Sequence, residues 1–393
     1  MKMLSLFRRT KTEAKSLAYP DADLMALFGA TTTASGVVVG EATALHVPAV
    51  GAAIRAISEA AATLDIGVVE IQGGIAKPAI DHPAYGILTG QANGWTSSFD
   101  FIRDLTAAAL VRDEGGLAWV NRLNGKPFEV IQMAPGAIQA TYDAMTREPS
   151  YTINGKAEAA QNVIHLRGPF GKSPLSLARE AIGTAMMLDR HASNLFTNGA
   201  RPGGALKFPK TMSEDSVKKA RAAWRATHEG GDGQGRTAIL YDGAEFEAFA
   251  FTSTDAQFLE NRKFQILEIA RAFRVPPSML FELDRATWSN TEQMGREFLS
   301  YCLEPWLRAL EGALNRALFT DAERGRFAVR FDRDDLTRAD LATRATVINS
   351  LIASQTINPN EGRDWLGLSP RAGGDQFLNP NISAAPATGE TDE

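Results

Sequence analysis

The sequence predicts an α+β chain in which two long helices hold a small mixed insertion between them. Three observations predict it. Apolar residues recur at three-to-four spacing over two long stretches, 173–199 and 253–275. The segment between them reads as strand, helix and strands. A separate stretch, 116–167, is dense in strand and turn signals.

The first long helix opens at Ser173-Pro174, a capping hydroxyl followed by a proline whose missing N–H is no loss at the first helical position. Leu175, Ala178, Ile182, Ala185, Ala192 and Phe196 then mark one face, and Gly199 and Pro202 end it. The second starts at Ser253-Thr254-Asp255. Ile266, Ile269, Ala270 and Phe273 make its later half the buried one, whereas Asn261, Arg262, Lys263 and Gln265 keep the earlier half polar. Pro276-Pro277 forces a break near Val275, because each proline lacks an N–H and restricts the residue before it. Between the two, Ala205 to Phe208 reads as a strand, Ser213 to about His228 as a capped helix, and Thr237 to Phe251 as two strands joined at Asp242-Gly243.

Upstream, residues 1–44 lack a sustained period and read as a loose arm. From His46 a helix carries Val50, Ile54, Ile57 and Ala61, followed by a strand at Gly67 to Ile71. His82 to Leu88 begins a short helix, and Ser97 or Ser98 caps another that runs to Leu110. From Gly116 to Arg167 come LAWVNRL, the turn Asn124-Gly125, PFEVIQM, YTING and NVIHLRG; the imperfect alternation leaves their pairing open. Downstream, a helix runs from about Thr291 to Leu318 with a kink expected at Pro305, and a capping box is expected from Asn290 to Gln293. The strand FAVRFD follows at 327–332, and together with that helix it completes the domain that ends near Gly168. Leu336, Leu341, Val347, Ile348, Leu351 and Ile352 mark a further helix ended by Asn358-Pro359, and a short one starts at Asn360-Glu361. The tail AAPATGETDE has the composition of a disordered end.

At 393 residues, 44% of them hydrophobic, the chain can bury two or three domain cores. Its 46 acidic and 41 basic residues give a net charge of −5, which argues against a protein that grips nucleic acid over a broad basic face. The single cysteine, Cys302, reads as a small core residue, and its solitude points to assembly in a reducing cytoplasm. No run reaches the roughly 20 apolar residues of a membrane span. MKMLSLFRRTKTEAK is too short in apolar length for a secretory signal.

The sharpest enzymatic candidate is GPFGKSP at 168–174, which follows a strand and opens a helix as phosphate-binding loops do. A Walker loop needs glycine where Leu166 stands, so the spacing disfavours a nucleotide-dependent enzyme using Lys172, which stands as the alternative reading. Asp332, Asp334 and Asp335 read as a solvated, helix-capping turn ahead of a cation site. The histidines 46, 82, 165, 191 and 228 have no metal-ligand spacing, and GGDGQG at 230–235 precedes strands, the reverse of a dinucleotide fingerprint. Neither a catalytic residue, a metal site nor a cofactor is expected. After the Pro-Pro break, Arg285 could meet phosphate as a charge, Trp288 could stack, wedge or simply anchor the loop, and Asn290 ends it.

The phrases NGARPGGALKF, FLENRKFQILEIARAFRVPPSML, a loop ending ATWSN, TEQMGREFLSYCLEPWLRALEGALNRALF, and NPNEGRDWLGLSP with RAGGD resemble the portal proteins of long-tailed bacteriophages, with special likeness to the portal of a phage-like gene transfer agent. The likeness runs in order from about His46 to Asp375. It implies a portal fold: an arm at 1–44, a wing at 45–172 and 291–334, stem helices at 173–202 and 253–276, a clip at 203–252, a tunnel loop at 277–290, a crown at 335–380 and a tail at 381–393. It further implies a dodecameric ring in a virion or phage-like particle, with double-stranded DNA in the channel, and no enzymatic reaction. A terminase large subunit and then a head-tail adaptor would dock on the clip, and the major capsid protein would surround the ring. On that reading Arg285, Trp288 and Asn290 line the channel. Lys218, Lys219, Arg221 and Arg225 on the clip helix receive partners, and Ile266, Ile269 and Phe273 serve stem packing and oligomerisation.

Overall fold

A computed structural model describes residues 31–198, 204–209, 213–228, 245–248, 254–282, 291–333 and 341–377. It divides into two compact units, one of Met1–Thr63 with Gly67–Val329 and one of Leu64–Ile66 with Arg330–Glu393.

The first unit begins with β1 (Thr31–Thr32) and β2 (Val38–Val39), an antiparallel pair, and α1 (Glu41–Ala44). The expectation of a loose arm through residue 44 is therefore corrected for residues 31–44. The Ala34 N–H donates to the Glu180 carboxylate, and Glu41 pairs with Arg112 at 2.8 Å. These are tertiary contacts, which a search for local period cannot see.

Next come α2 (Pro48–Thr63), β3 (Ile66–Gln72), β4 (Ile75–Pro78), α3 (Pro83–Thr89), β5 (Gln91–Asn93), β6 (Thr96–Ser97) and α4 (Ser98–Val111). His82 caps α3 through Nδ1, which accepts from the Ala84 N–H, and Ser97 caps α4 by accepting from the Asp100 N–H. The two longer helices, α2 and α4, pack on each other, and α4 also covers β7 (Gly116–Leu123).

Strand β7 is the centre of an antiparallel sheet between β8 (Lys126–Ile131) and β12 (Val163–Leu166). Asn124 and Gly125, with φ of 52° and 78°, turn β7 into β8, since two successive positive φ values match the twist of a tight hairpin. The register shifts between Asn121 and Arg122, where the extra residue is Phe128 on β8, so the faces of β8 swap at that point. A second sheet is formed by β9 (Ile138–Tyr142), β10 (Pro149–Ile153) and β11 (Lys156–Glu158), with β10 in the middle.

The first long helix is interrupted. It consists of α5 (Pro174–Leu177) and α6 (Arg179–Asn198), separated at Ala178. Then β13 (Gly204–Lys207), α7 (Glu214–His228) and β14 (Glu245–Ala248) follow. The hairpin expected at Asp242-Gly243 lies outside the described residues; the partner that β14 does show is β13, antiparallel, with Leu206 opposite Phe246. α8 (Thr254–Phe273) packs on α6 and α2 and stops as expected, with Pro277–Leu280 forming one 3₁₀ turn after the Pro-Pro break.

The next helix departs from expectation at its middle. α9 (Thr291–Glu297) passes into a π-helical turn at Phe298–Leu303 before α10 (Glu304–Leu318). Pro305 is the cause: its ring would collide with the carbonyl four residues back and it offers no N–H, so the preceding turn widens. The Asn290 cap lies outside the described residues. α10 then lies against β12, and the Arg122 guanidinium reaches the Ala317 carbonyl at 2.5 Å. β15 (Phe327–Phe331) joins β3 and β4 in a sheet of order β15-β3-β4, with the Ile71 N–H on the Arg326 carbonyl.

In the second unit, α11 (Leu341–Ala353) ends earlier than expected. Gln355, at a φ of 59°, turns the chain out of the helix five residues after Ser350, well before Pro359. Asn358 is instead the cap of α12 (Pro359–Asp364): it accepts from the Glu361 N–H while the Glu361 carboxylate accepts from the Asn358 N–H. Asn360 joins the phrases NPNEGRD and RAGGD. Its amide bonds the Arg371 carbonyl, the Arg371 N–H and the Asp375 carboxylate, and a side chain at Gly374 would meet its Oδ1 at 2.3 Å.

Candidate functional site

The GPFGKSP loop is built as a helix entry and has no room for a phosphate. Pro169–Gly171 is a 3₁₀ turn, and a Cβ on Gly168 would stand 2.3 Å from the Lys172 carbonyl, so the loop is closed on itself. The Lys172 ammonium lies 2.8 Å from Asp113 Oδ2. Asp113 Oδ1 accepts from the Ser173 N–H and hydroxyl. Burial by itself would raise the Asp113 pKa, yet the bonds from Lys172, Ser173 and Ser176 outweigh it and hold the carboxyl at about 2. Lys172 thus neutralises a carboxylate that anchors the start of α5. Nothing supports a nucleotide-binding role for it.

The other chemical candidates have equally local duties. His165 is buried between Tyr151 and the backbone of Glu114, with Nδ1 3.0 Å from the Tyr151 hydroxyl and Nε2 2.8 Å from the Glu114 carbonyl. A carbonyl only accepts, so Nε2 carries the proton and Nδ1 accepts from the hydroxyl. Burial lowers the His165 pKa to about 4, leaving the ring neutral at pH 7. Cys302 is buried in the π-helical turn, and desolvation pushes its thiol up to about 12, far from a reactive thiolate. Asp332 donates its N–H to the Asp65 carbonyl, while Asp334 and Asp335 lie outside the described residues. Among the described residues no group of three metal-ligating side chains comes together, and no helix is long and apolar enough to cross a membrane.

The candidate site is therefore the α6/α8 helix pair and what it carries. Ile269 and Phe273, 1% and 2% exposed, are buried within the single chain. Burial within the chain suits the stem packing expected of both, and Ile269 also lines the groove at this helix pair. Ile266 is half-buried and does face open space. It lines a groove of about 570 Å³ with Val47, Leu188, Leu259 and Phe281. Arg262 crosses from α8 to Asp189 on α6 at 2.5 Å. This groove was not legible in the sequence, because its walls come from three separated stretches and Phe281 belongs to no periodic run.

On α7, Lys218, Lys219 and Arg221 are exposed as expected, and the Ser213 hydroxyl accepts from the Ser216 N–H at its start. Arg225 is on the same helix, but its side chain lies outside the described residues. Arg285, Trp288 and Asn290 also lie outside them.

With a helix pair carrying a strand-helix-strand excursion on a mixed core in view, the comparisons decide the family. The phage portal protein family model matches residues 48–367. The chain belongs to the phage portal protein family. A "probable portal protein" of Streptomyces phage phiC31 is 33% identical over 331 residues, covering 78% of this chain and 71% of that one. The portal protein of Enterobacteria phage HK97 is 30% identical over 223 residues, 55% of this chain and 52% of its own. The fold resembles a chain in the neck of a native gene transfer agent particle computed with C12 symmetry. That similarity has a TM-score of 0.55 at 19% identity and covers 82% of this chain and 91% of that one. Portal proteins serve as the channel for DNA during packaging, and this chain shares that general function.

Proposed function

We propose that this portal protein works as a closed ring of identical subunits, twelve in number, set at one vertex of a phage-like particle, and that the ring itself catalyses nothing. The match to the portal family over residues 48–367 carries this reading. A terminase large subunit docks on the segment 203–252 during packaging and a head-tail adaptor replaces it, with Lys218, Lys219, Arg221 and Arg225 offering the charged surface. The major capsid protein surrounds the ring.

The loop 283–290 touches DNA in transit. A chain of net charge −5 holds a polyanion weakly along most of its bore. At the narrowest point Arg285 supplies one phosphate contact per subunit and Trp288 an apolar surface, with Asn290 closing the loop. Each contact is worth about 1 kcal/mol at an exposed site, too little to trap DNA singly and enough, repeated around a ring, to check backsliding. The double change Arg285→Ala and Trp288→Ala should leave rings and empty capsids intact and lower the fraction of particles that retain DNA. Normal retention would remove the loop from the mechanism.

A further inference from the structure

His82 stands between two partners and is bonded to one of them. Its side chain is 6% exposed and packs against the rings of Phe319 and Phe327 at centroid distances of 5.0 and 4.9 Å. Nδ1 accepts the Ala84 N–H and so caps α3, which puts the proton of the neutral ring on Nε2. That Nε2 is buried and has no hydrogen-bond partner. Glu323 Oε1, in the turn ahead of β15, stands 3.8 Å from it, too far for a bond. The other oxygen of Glu323, Oε2, accepts from the N–H and the hydroxyl of Thr320. Burial by itself would raise the Glu323 pKa, yet those two bonds and the nearby His82 outweigh it, so the carboxylate is charged at pH 7. Beside both side chains lies a cavity of about 590 Å³, and Glu323, 39% exposed, has room to move.

We infer that His82 is a proton-driven latch with two positions: neutral, it caps α3; protonated, it gives up the Ala84 N–H and pairs with Glu323, tying the entry of α3 to the turn ahead of β15. A protonated imidazole has two N–H donors and no acceptor, so Nδ1–H would face the Ala84 N–H, donor against donor. A buried cation also needs an opposite charge. Glu323 supplies it after a shift of about 1 Å, the difference between 3.8 Å and a charge-assisted bond. The charges around the ring offer no rival to this exchange. Lys126 on β8 opposes the cation. Glu70 on β3 is taken by Arg326, just before β15, and Asp81, the neighbour in sequence, is exposed. Burial lowers the His82 pKa from its usual 6.5, Glu323 works against that and Lys126 with it, so the latch moves on the acid side of that value. The capping position is the native one at pH 7. Because α3 packs on β5, β8 and α4, a change at its first turn reaches the sheet centred on β7 through β8. The latch lies within one chain and does not depend on the ring reading.

Hydrogen exchange of the full-length protein, followed by mass spectrometry, tests this through protection factors, which divide out the intrinsic effect of pH. From about pH 7.5 to about pH 4.5 the protection of Ala84 and Tyr85 should fall by about threefold or more, while that of the turn from Thr320 to Phe327 rises. His82→Asn keeps a capping acceptor and cannot titrate, so there both segments should hold level. Glu323→Gln keeps an acceptor for Thr320 and loses the charge. In that variant the fall at α3 should move to lower pH and the rise ahead of β15 should vanish. A fall at α3 in His82→Asn equal to that of the unaltered protein would overturn the latch, since other groups would then carry it. Protection lost at both segments together would overturn it in favour of a general loosening in acid. No change at either segment would show that His82 stays neutral, and would end the proposal as well.

Discussion

The two ends of α8 obey different rules. Toward Pro276 the helix buries Ile269, Ala270 and Phe273 within the chain. Toward Thr254 it leaves Leu259 62% and Phe264 50% exposed, with Phe281 bare at the rim of the neighbouring groove. Burial of apolar area stabilises by roughly 25 cal/mol per Å², so the covered end holds the subunit together while the exposed side chains add little to it. A single amphipathic helix thus has a buried and an exposed stretch, and its hydrophobic spacing does not say which is which.

Paired substitutions break the comparison most sharply. Phe273→Asp places an unpaired charge in a site 2% exposed and should cost several kcal/mol, giving insoluble or unfolded protein. Phe264→Asp, at a side chain 50% exposed, should shift subunit stability by no more than about 0.5 kcal/mol. Denaturant midpoints of the two variants check this, and equal losses would erase the distinction between the ends.

A smaller effect is expected at the buried Tyr151–His165 pair. The folded His165 pKa, about 4, lies below the usual value of 6.5, so between those values the unfolded chain binds a proton that the native chain refuses. Its contribution is complete above pH 6.5 and is lost as pH falls toward 4, by about 3 kcal/mol in all. His165→Gln should flatten the stability profile over that window. A profile as steep as that of the unaltered protein would assign the pH dependence to other groups.

The smallest effect belongs to Lys172, whose pair with Asp113 is partly exposed and worth about 0–1 kcal/mol. Lys172→Ala should leave both the fold and the ATPase activity of a packaging motor unchanged. A drop in ATPase as large as that from removing a true Walker lysine would revive the enzyme reading.

The helices were legible wherever a cap and a period coincided, as at Ser173, Ser97 and the run ending at Phe273, because these signals are local in the chain. The break at Ala178 and the early end of α11 were not legible, and neither was the pairing of β13 with β14. Each depends on what the segment meets in space. At Pro305 the sequence marked the disturbance but not its form, since a widened turn and a kink answer the same missing N–H. For the candidate site, the resemblance in successive phrases carried the family, and the exposed basic helix was readable from charge. Ile269 and Phe273 were expected to serve both stem packing and oligomerisation, because periodicity shows that a face is apolar and cannot show which chain covers it.

The most direct test of the account is electron microscopy of the purified full-length protein, in negative stain and without other particle components. The account predicts closed rings with a central channel and twelve subunits. A population of monomers, or of two-fold dimers, at concentrations where the protein remains folded would contradict it.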